Sequence, residues 1–113
     1  MRTITSESCK ALRNKANFKK QNMQVEVLQV KGVQLNSAVM KLHGNTIASV
    51  DGSQLTLNDC GWQTTTTKER LNGLLNEFNL SYRISQVKGQ WYLLSTDNSF
   101  SRVLWSGKHT FDV

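Results

Sequence analysis

Residues 42–57 read "LHGNTIASVDGSQLTL", and this stretch decides the fold class. His43-Gly44-Asn45 and Asp51-Gly52 are turn signals, because these residue types accept the positive φ that tight hairpin turns demand. Between them Thr46 to Val50 is a short apolar strand. Strand, tight turn, strand, tight turn, strand is a meander.

The pattern extends in both directions. Upstream, "QVEVLQV" (24–30) sets Val25 and Val27 against Glu26 and Leu28, the alternation of a half-buried strand. Lys31-Gly32 breaks it, and "VQLNSAVMKL" (33–42) follows, with a polar interruption at Asn36-Ser37. Downstream, "YRISQV" (82–87) and "QWYLLS" (90–95) flank Lys88-Gly89 as a further hairpin. "FSRVLW" (100–105) follows a turn at Asp97-Asn98-Ser99, and "HTFDV" (109–113) closes the chain as a short strand.

Two segments carry helical rather than strand periodicity. In "TTTTKERLNGLLNEFN" (64–79), Leu71, Leu74, Leu75 and Phe78 fall at i, i+3, i+4 and i+7 and share one face. Thr66 and Glu69 have the spacing of a capping box, which predicts a helix over 66–79 with Thr66 as N-cap. Gly73 in its middle points to close packing, a nearby ligand or a plain imperfection. Near the start, "TSESCKALRNKANF" (5–18) lacks glycine, and Cys9, Leu12 and Ala16 recur at three and four. A chain of 113 residues supports one core. The expected fold is therefore α+β: a single small domain, a mainly antiparallel sheet, an N-terminal helix and one inserted amphipathic helix.

Charge divides the chain. Residues 1–20 carry Arg2, Lys10, Arg13, Lys15, Lys19 and Lys20 against Glu7, while residues 21–113 are nearly balanced. We read 1–20 as a basic N-terminal helix or arm and 21–113 as the α+β domain. Such an arm suits nucleic acid, an acidic protein or an anionic membrane surface, or simply keeps the chain soluble. No apolar run approaches the roughly 18 residues of a membrane span, and the N-terminus lacks a secretory pattern. A cytoplasmic location without a membrane partner is expected.

The stretch from Leu42 to Leu75, "LHGNTIASVDGSQLTLNDCGWQTTTTKERLNGLL", followed by "GQWYL" (89–93), resembles a pattern in small uncharacterised bacteriophage proteins. The shared features are a His-Gly-Asn hairpin, a Gly–aromatic pair, a threonine-rich helix start with Arg-Leu-Asn, and a later Gln-Trp-Tyr. Asp59-Cys60 departs from it where alanine is more usual. The resemblance covers about residues 42–94 and implies a phage origin and a host cytoplasm. It brings no catalytic or binding residue.

Enzymatic chemistry needs converging titratable groups. The chain has His43 and His109, and lacks HExxH, GxSxG and a Gly-rich phosphate loop. Cys60 with His43 is a conceivable nucleophile–base pair, but a buried thiol beside Trp62 reads equally well. Cys9 and Cys60 lack the close spacing of a zinc site. No catalysis, metal or cofactor is expected.

Binding fits the residues better. Trp91 and Tyr92 must point to opposite faces of one strand, so one is core and the other is presented, unless the N-terminal helix covers the second face and both are buried. Arg83, Lys88 and Arg102 come from neighbouring strands or turns, a setting in which single-stranded nucleic acid is held by stacking and phosphate contacts. The helix start offers a second place: Thr65, Thr67, Lys68 and Arg70 around free N–H groups would suit a phosphate, unless the threonines only cap the helix and finish a strand. The expected partner is nucleic acid, held by Lys10, Arg13, Lys15, Lys19 and Lys20 in the arm, by Thr65, Thr67, Lys68 and Arg70, and by Trp91 or Tyr92. The alternative partner is an acidic host protein. Lys68→Glu with Arg70→Glu is expected to weaken nucleic-acid binding and leave the fold intact.

Overall fold

Hairpin turns organise the chain where the turn residues stand. In the computed structural model, which describes residues 2–97 and 102–113 and only the backbone at Gln34, the pairs Lys31-Gly32, His43-Gly44 and Lys88-Gly89 all take positive φ at both positions. This is the twist that matches right-handed strands, and the non-glycine residue in each pair accepts about 1 kcal/mol or more of strain to adopt it.

The six-stranded sheet has the order β1-β2-β3-β4-β5-β9, antiparallel throughout. Its members are β1 (Phe18–Lys20), β2 (Met23–Val30), β3 (Val33–Leu42), β4 (Asn45–Asp51), β5 (Gln54–Asn58) and β9 (Lys108–Asp112). A separate three-stranded antiparallel sheet has the order β6 (Tyr82–Val87), β7 (Gln90–Ser95), β8 (Arg102–Leu104). The α+β class expected from the sequence is what forms, but the strands divide between two sheets. The chain crosses from one to the other through Trp105, whose N–H bonds the Trp91 carbonyl at 3.0 Å and whose indole N–H bonds Asp59 Oδ2 at 3.0 Å. Of the turn expected at Asp97-Asn98-Ser99, Asn98 and Ser99 lie outside the described residues.

The helices differ from expectation at their ends. The first, α1 (Thr3–Arg13), stops five residues before Phe18. The chain closes it with the Lys15 N–H on the Leu12 carbonyl and the Ala16 N–H on the Ala11 carbonyl, Lys15 taking φ 51°. This is a Schellman closure with lysine where glycine is usual, so no sequence signal marks it. Ala16 is consequently exposed, and Phe18–Lys20 becomes β1, paired with Met23–Val25. Residues 1–20 are thus built into the domain along their described length: α1 packs on α2 and on β2, β3 and β4.

The second helix, α2 (Thr65–Glu77), has its N-cap two residues earlier than the capping box implies. Thr64 is the N-cap: its Oγ1 accepts from the Thr67 N–H at 3.1 Å. Glu69 does not reach back, because Thr5 Oγ1 donates to it at 2.6 Å and Arg70 bonds it as well. The expected apolar face is correct for Leu71, Leu74 and Leu75, all fully buried, and Gly73 is buried with them. Leu12, Met23, Met40, Leu55 and Ile84 complete the centre of the core. Asn72 stitches α2 to the edge strand β6: its Nδ2 donates to the Ile84 carbonyl at 2.9 Å and its Oδ1 accepts the Ile84 N–H at 2.7 Å.

Candidate nucleic-acid interface

Hairpin register fixes which aromatic faces outward. The Lys88-Gly89 turn pairs Val87 with Gln90, so Ile84 pairs with Leu93 and Ser85 with Tyr92. Ile84 and Leu93 are buried; Trp91, two residues from Leu93, shares their side and is 1% exposed. Tyr92 therefore lies on the opposite, outer face, half-buried and flanked by Ser85 on β6 and Leu104 on β8.

The adjacent row is Arg83–Leu94–Arg102, one residue from each strand. The Arg102 guanidinium carbon stands 4.4 Å from the centre of the Tyr92 ring, so cation and ring form one stacked unit. Arg83 is two strands away, roughly 10 Å across the sheet. Val87 and Gln90 end the face, and Lys88 stands at the turn beyond them. Among the described residues of these three strands there is no aspartate or glutamate. An aromatic set among arginines on a surface without carboxylates offers stacking and phosphate contact together.

The residues expected at the start of α2 divide sharply. Thr65 is exposed and Lys68 is half-buried, its Nζ donating to Gln86 Oε1 at 3.2 Å. Thr67 is buried with its hydroxyl on Thr64. Arg70 is 1% exposed, donates to Thr5 Oγ1 at 2.6 Å and bonds Glu69. Its place is the α1–α2 seam, because its helical position faces Thr5 rather than solvent. Arg70→Glu would bury a carboxylate beside Glu69, so the double change with Lys68→Glu would not leave the fold intact. Trp91 is likewise a core residue and presents no stacking surface.

The N-terminal cations lie on α1, the turn after it and β1. Lys10 and Lys19 are exposed, Arg13 pairs with Glu77 at 3.3 Å and Lys20 with Glu7 at 3.2 Å. Such exposed pairs contribute little and leave the cations free to exchange partners. Lys15 is half-buried in the closing turn. α2 packs on α1 and on β6, so it stands between this group and the three-stranded sheet. The structure gathers these cations on their own elements and does not join them to Tyr92.

Cys60 and His43 do line one cavity. The Cys60 thiol donates to the Thr46 carbonyl at 2.9 Å, and partial burial followed by the Asp59 carboxylate pushes its pKa up. The thiol is kept protonated, the reverse of an activated nucleophile. Cys9 is deeply buried and pushed up to about 12 by burial first, then by Glu77 and Glu69.

The sequence alone could name Arg83, Lys88 and Arg102 as neighbours but not select Tyr92. The selecting signal was the two-residue turn, which transmits the parity of Ile84 to Trp91.

No helix among the described residues is long and apolar enough to cross a membrane. Against known proteins, residues 1–112 match the model of the family described as Kyanoviridae Gp96 protein. No curated protein matches, and no solved structure matches.

Proposed function

The chain belongs to the Kyanoviridae Gp96 family of phage proteins, and from that membership we propose that it is a small accessory protein of the host cytoplasm. It acts by binding single-stranded nucleic acid on the outer face of β6–β8, without catalysis. The observation that carries the reading is Tyr92, stacked under Arg102 and facing outward in a row parallel to Arg83 and Leu94. Bases stack on the phenol and on the guanidinium plane, and Arg83 and Lys88 meet phosphates. The exposed Lys10 and Lys19 raise the positive field around the molecule and speed encounter.

Fluorescence anisotropy of labelled single-stranded DNA, duplex DNA and RNA, titrated at several salt concentrations, tests it. Tyr92→Leu should cost about 5- to 150-fold in affinity for single strands with little change in salt slope, the worth of one stacked base. Arg83→Gln should lower the log–log salt slope by about 0.7. Absence of binding at low salt, or affinities unmoved by both changes, overturns the reading.

A second reading, binding and modulating an acidic host protein, has its own support. Beyond the last pairing with β4, the β2–β3 ribbon runs on alone and exposes Leu28, Val30, Val33 and Leu35, which strand alternation puts on one side. An exposed aliphatic patch on a small protein suits a protein partner. Binding that resists salt and is lost in Val30→Asp with Val33→Asp would favour it over the first.

A further inference from the structure

A cavity of about 370 Å³ lies away from the Tyr92 face, between the β3–β4 turn, the loop after β5 and the start of α2. Its floor is Leu42 and Ile47, both buried. Trp62 also lines it and is 61% exposed, whereas Trp91 and Trp105 are 1% and 4% exposed. A large ring left in water beside an apolar hollow is a surface that gains by being covered.

The loop that carries Trp62 is pinned. Cys60 and Gly61 take φ 56° and 77°, and the Trp62 N–H bonds the Asp59 carbonyl at 2.8 Å. The Asp59 carboxylate accepts from the Gly61 N–H at 2.8 Å, from Gln63 Nε2 at 3.1 Å and from Trp105 Nε1 at 3.0 Å. The left-handed conformation of Cys60 is one that residues other than glycine rarely take, and it directs the chain into Trp62.

The chemistry of the lining narrows the ligand. Among the described residues no lysine or arginine lines the cavity, and the one carboxylate there, Asp59, already accepts from three N–H donors. Charge therefore recruits neither anion nor cation. What remains is an indole face, an aliphatic floor, and the hydrogen-bonding side chains of His43, Asn45 and Thr66. The volume is near the lower end of the roughly 300–1,000 Å³ of small-molecule sites. A flat ring with donors and acceptors on its edge matches this set.

We propose that this cavity is a nucleobase site: the base stacks on Trp62 above Leu42 and Ile47, and His43, Asn45 and Thr66 hydrogen-bond its edge. The base comes from a free nucleoside or from a strand held on the Tyr92 face. The second source rests on the function proposed above, and the first does not.

Because Trp62 is the exposed tryptophan of the three, acrylamide quenching reports on it selectively. Adenosine, guanosine, cytidine and uridine, and separately an unlabelled 12-nucleotide single strand, are titrated while quenching is followed. Saturable protection of Trp62 is expected, weakened about tenfold in Asn45→Ala with Thr66→Ala; both side chains reach solvent, so the fold tolerates the change. Protection by free nucleosides assigns a nucleoside site, and protection by the strand alone assigns a base of a bound strand; either supports the proposal. Quenching unmoved by every probe overturns it, as does protection identical in the double variant. The two proposals fail separately. Strand binding by anisotropy that leaves Trp62 open removes the cavity and keeps the Tyr92 face. Nucleoside protection that survives Tyr92→Leu, without strand binding, removes the face and keeps the cavity.

Discussion

Replacing Asn72 by alanine should destabilise the domain far more than its half-exposed position on α2 suggests. Its amide fills the role of a missing neighbour strand: β6 is an edge of the three-stranded sheet, and Asn72 satisfies both the N–H and the carbonyl of Ile84. Ile84 is buried, so water cannot replace the amide without opening the α2–β6 seam. Leaving a buried donor and a buried acceptor unpaired costs about 1–3 kcal/mol each; with Asn72 itself half-buried, we expect about 2–4 kcal/mol in total. That is a large part of the roughly 5–15 kcal/mol that holds a domain of this kind together. Asn72→Asp should cost nearly as much, since it keeps the acceptor for the Ile84 N–H but sets a second oxygen against the Ile84 carbonyl. Urea unfolding gives the stability, with a lower midpoint and an unchanged m-value expected. Hydrogen exchange at the Ile84 amide gives the location. A loss under about 0.5 kcal/mol, the size of an ordinary surface substitution, with Ile84 protection intact would refute the bridging role.

Two further outcomes follow from the same geometry. Thr64→Ala should cost about 1 kcal/mol and Thr66→Ala close to nothing, because the Thr67 N–H bonds Thr64; equal midpoints in urea would put the cap elsewhere. Cys9, with its ordinary value of 9.0 pushed up to about 12, keeps its proton in the folded chain while the unfolded thiol loses it. Its contribution is whole below pH 9 and is lost as pH rises from there toward 12, at about 1.4 kcal/mol per pH unit. Between about pH 8 and 10.5 the parent should therefore lose about 2 kcal/mol more than Cys9→Ala in paired urea titrations, and equal losses would contradict it.

Strands were legible because their information is local. Alternation and turn residues placed β3 at 33–42 and brought β2, β4, β6 and β7 within a residue or two of their observed ends. The end of α1 was not, because it closes through a left-handed lysine, Lys15, where glycine is usual. The fate of Arg70 was also illegible. Helical spacing places it beside an apolar face but cannot reveal that α1 delivers Thr5 to meet it across 65 residues. The division into two sheets was illegible as well, and Trp105 reaching Asp59 where the chain passes between them has no trace in either local pattern.

The motifs that stand out in the sequence are explained by the fold, and this redirects the search for function. His43-Gly44 is a turn with two positive φ values, Gly61 holds a third, and Lys88-Gly89 repeats the first arrangement. In Arg70-Leu71-Asn72, the arginine fills the α1–α2 seam, the leucine the core, and the asparagine ties down β6. Trp91 of Gln-Trp-Tyr is core as well. Two aromatic residues of these motifs face outward, namely Tyr92, under Arg102, and Trp62, at the rim of the cavity. Large aromatics are costly to leave in water, so a chain that buries Trp91 and Trp105 and still presents these two points to what they meet there. On the proposed function, a partner is to be sought at Tyr92 and at the Trp62 cavity, which Thr66 also lines, and not at the buried Thr67 and Arg70.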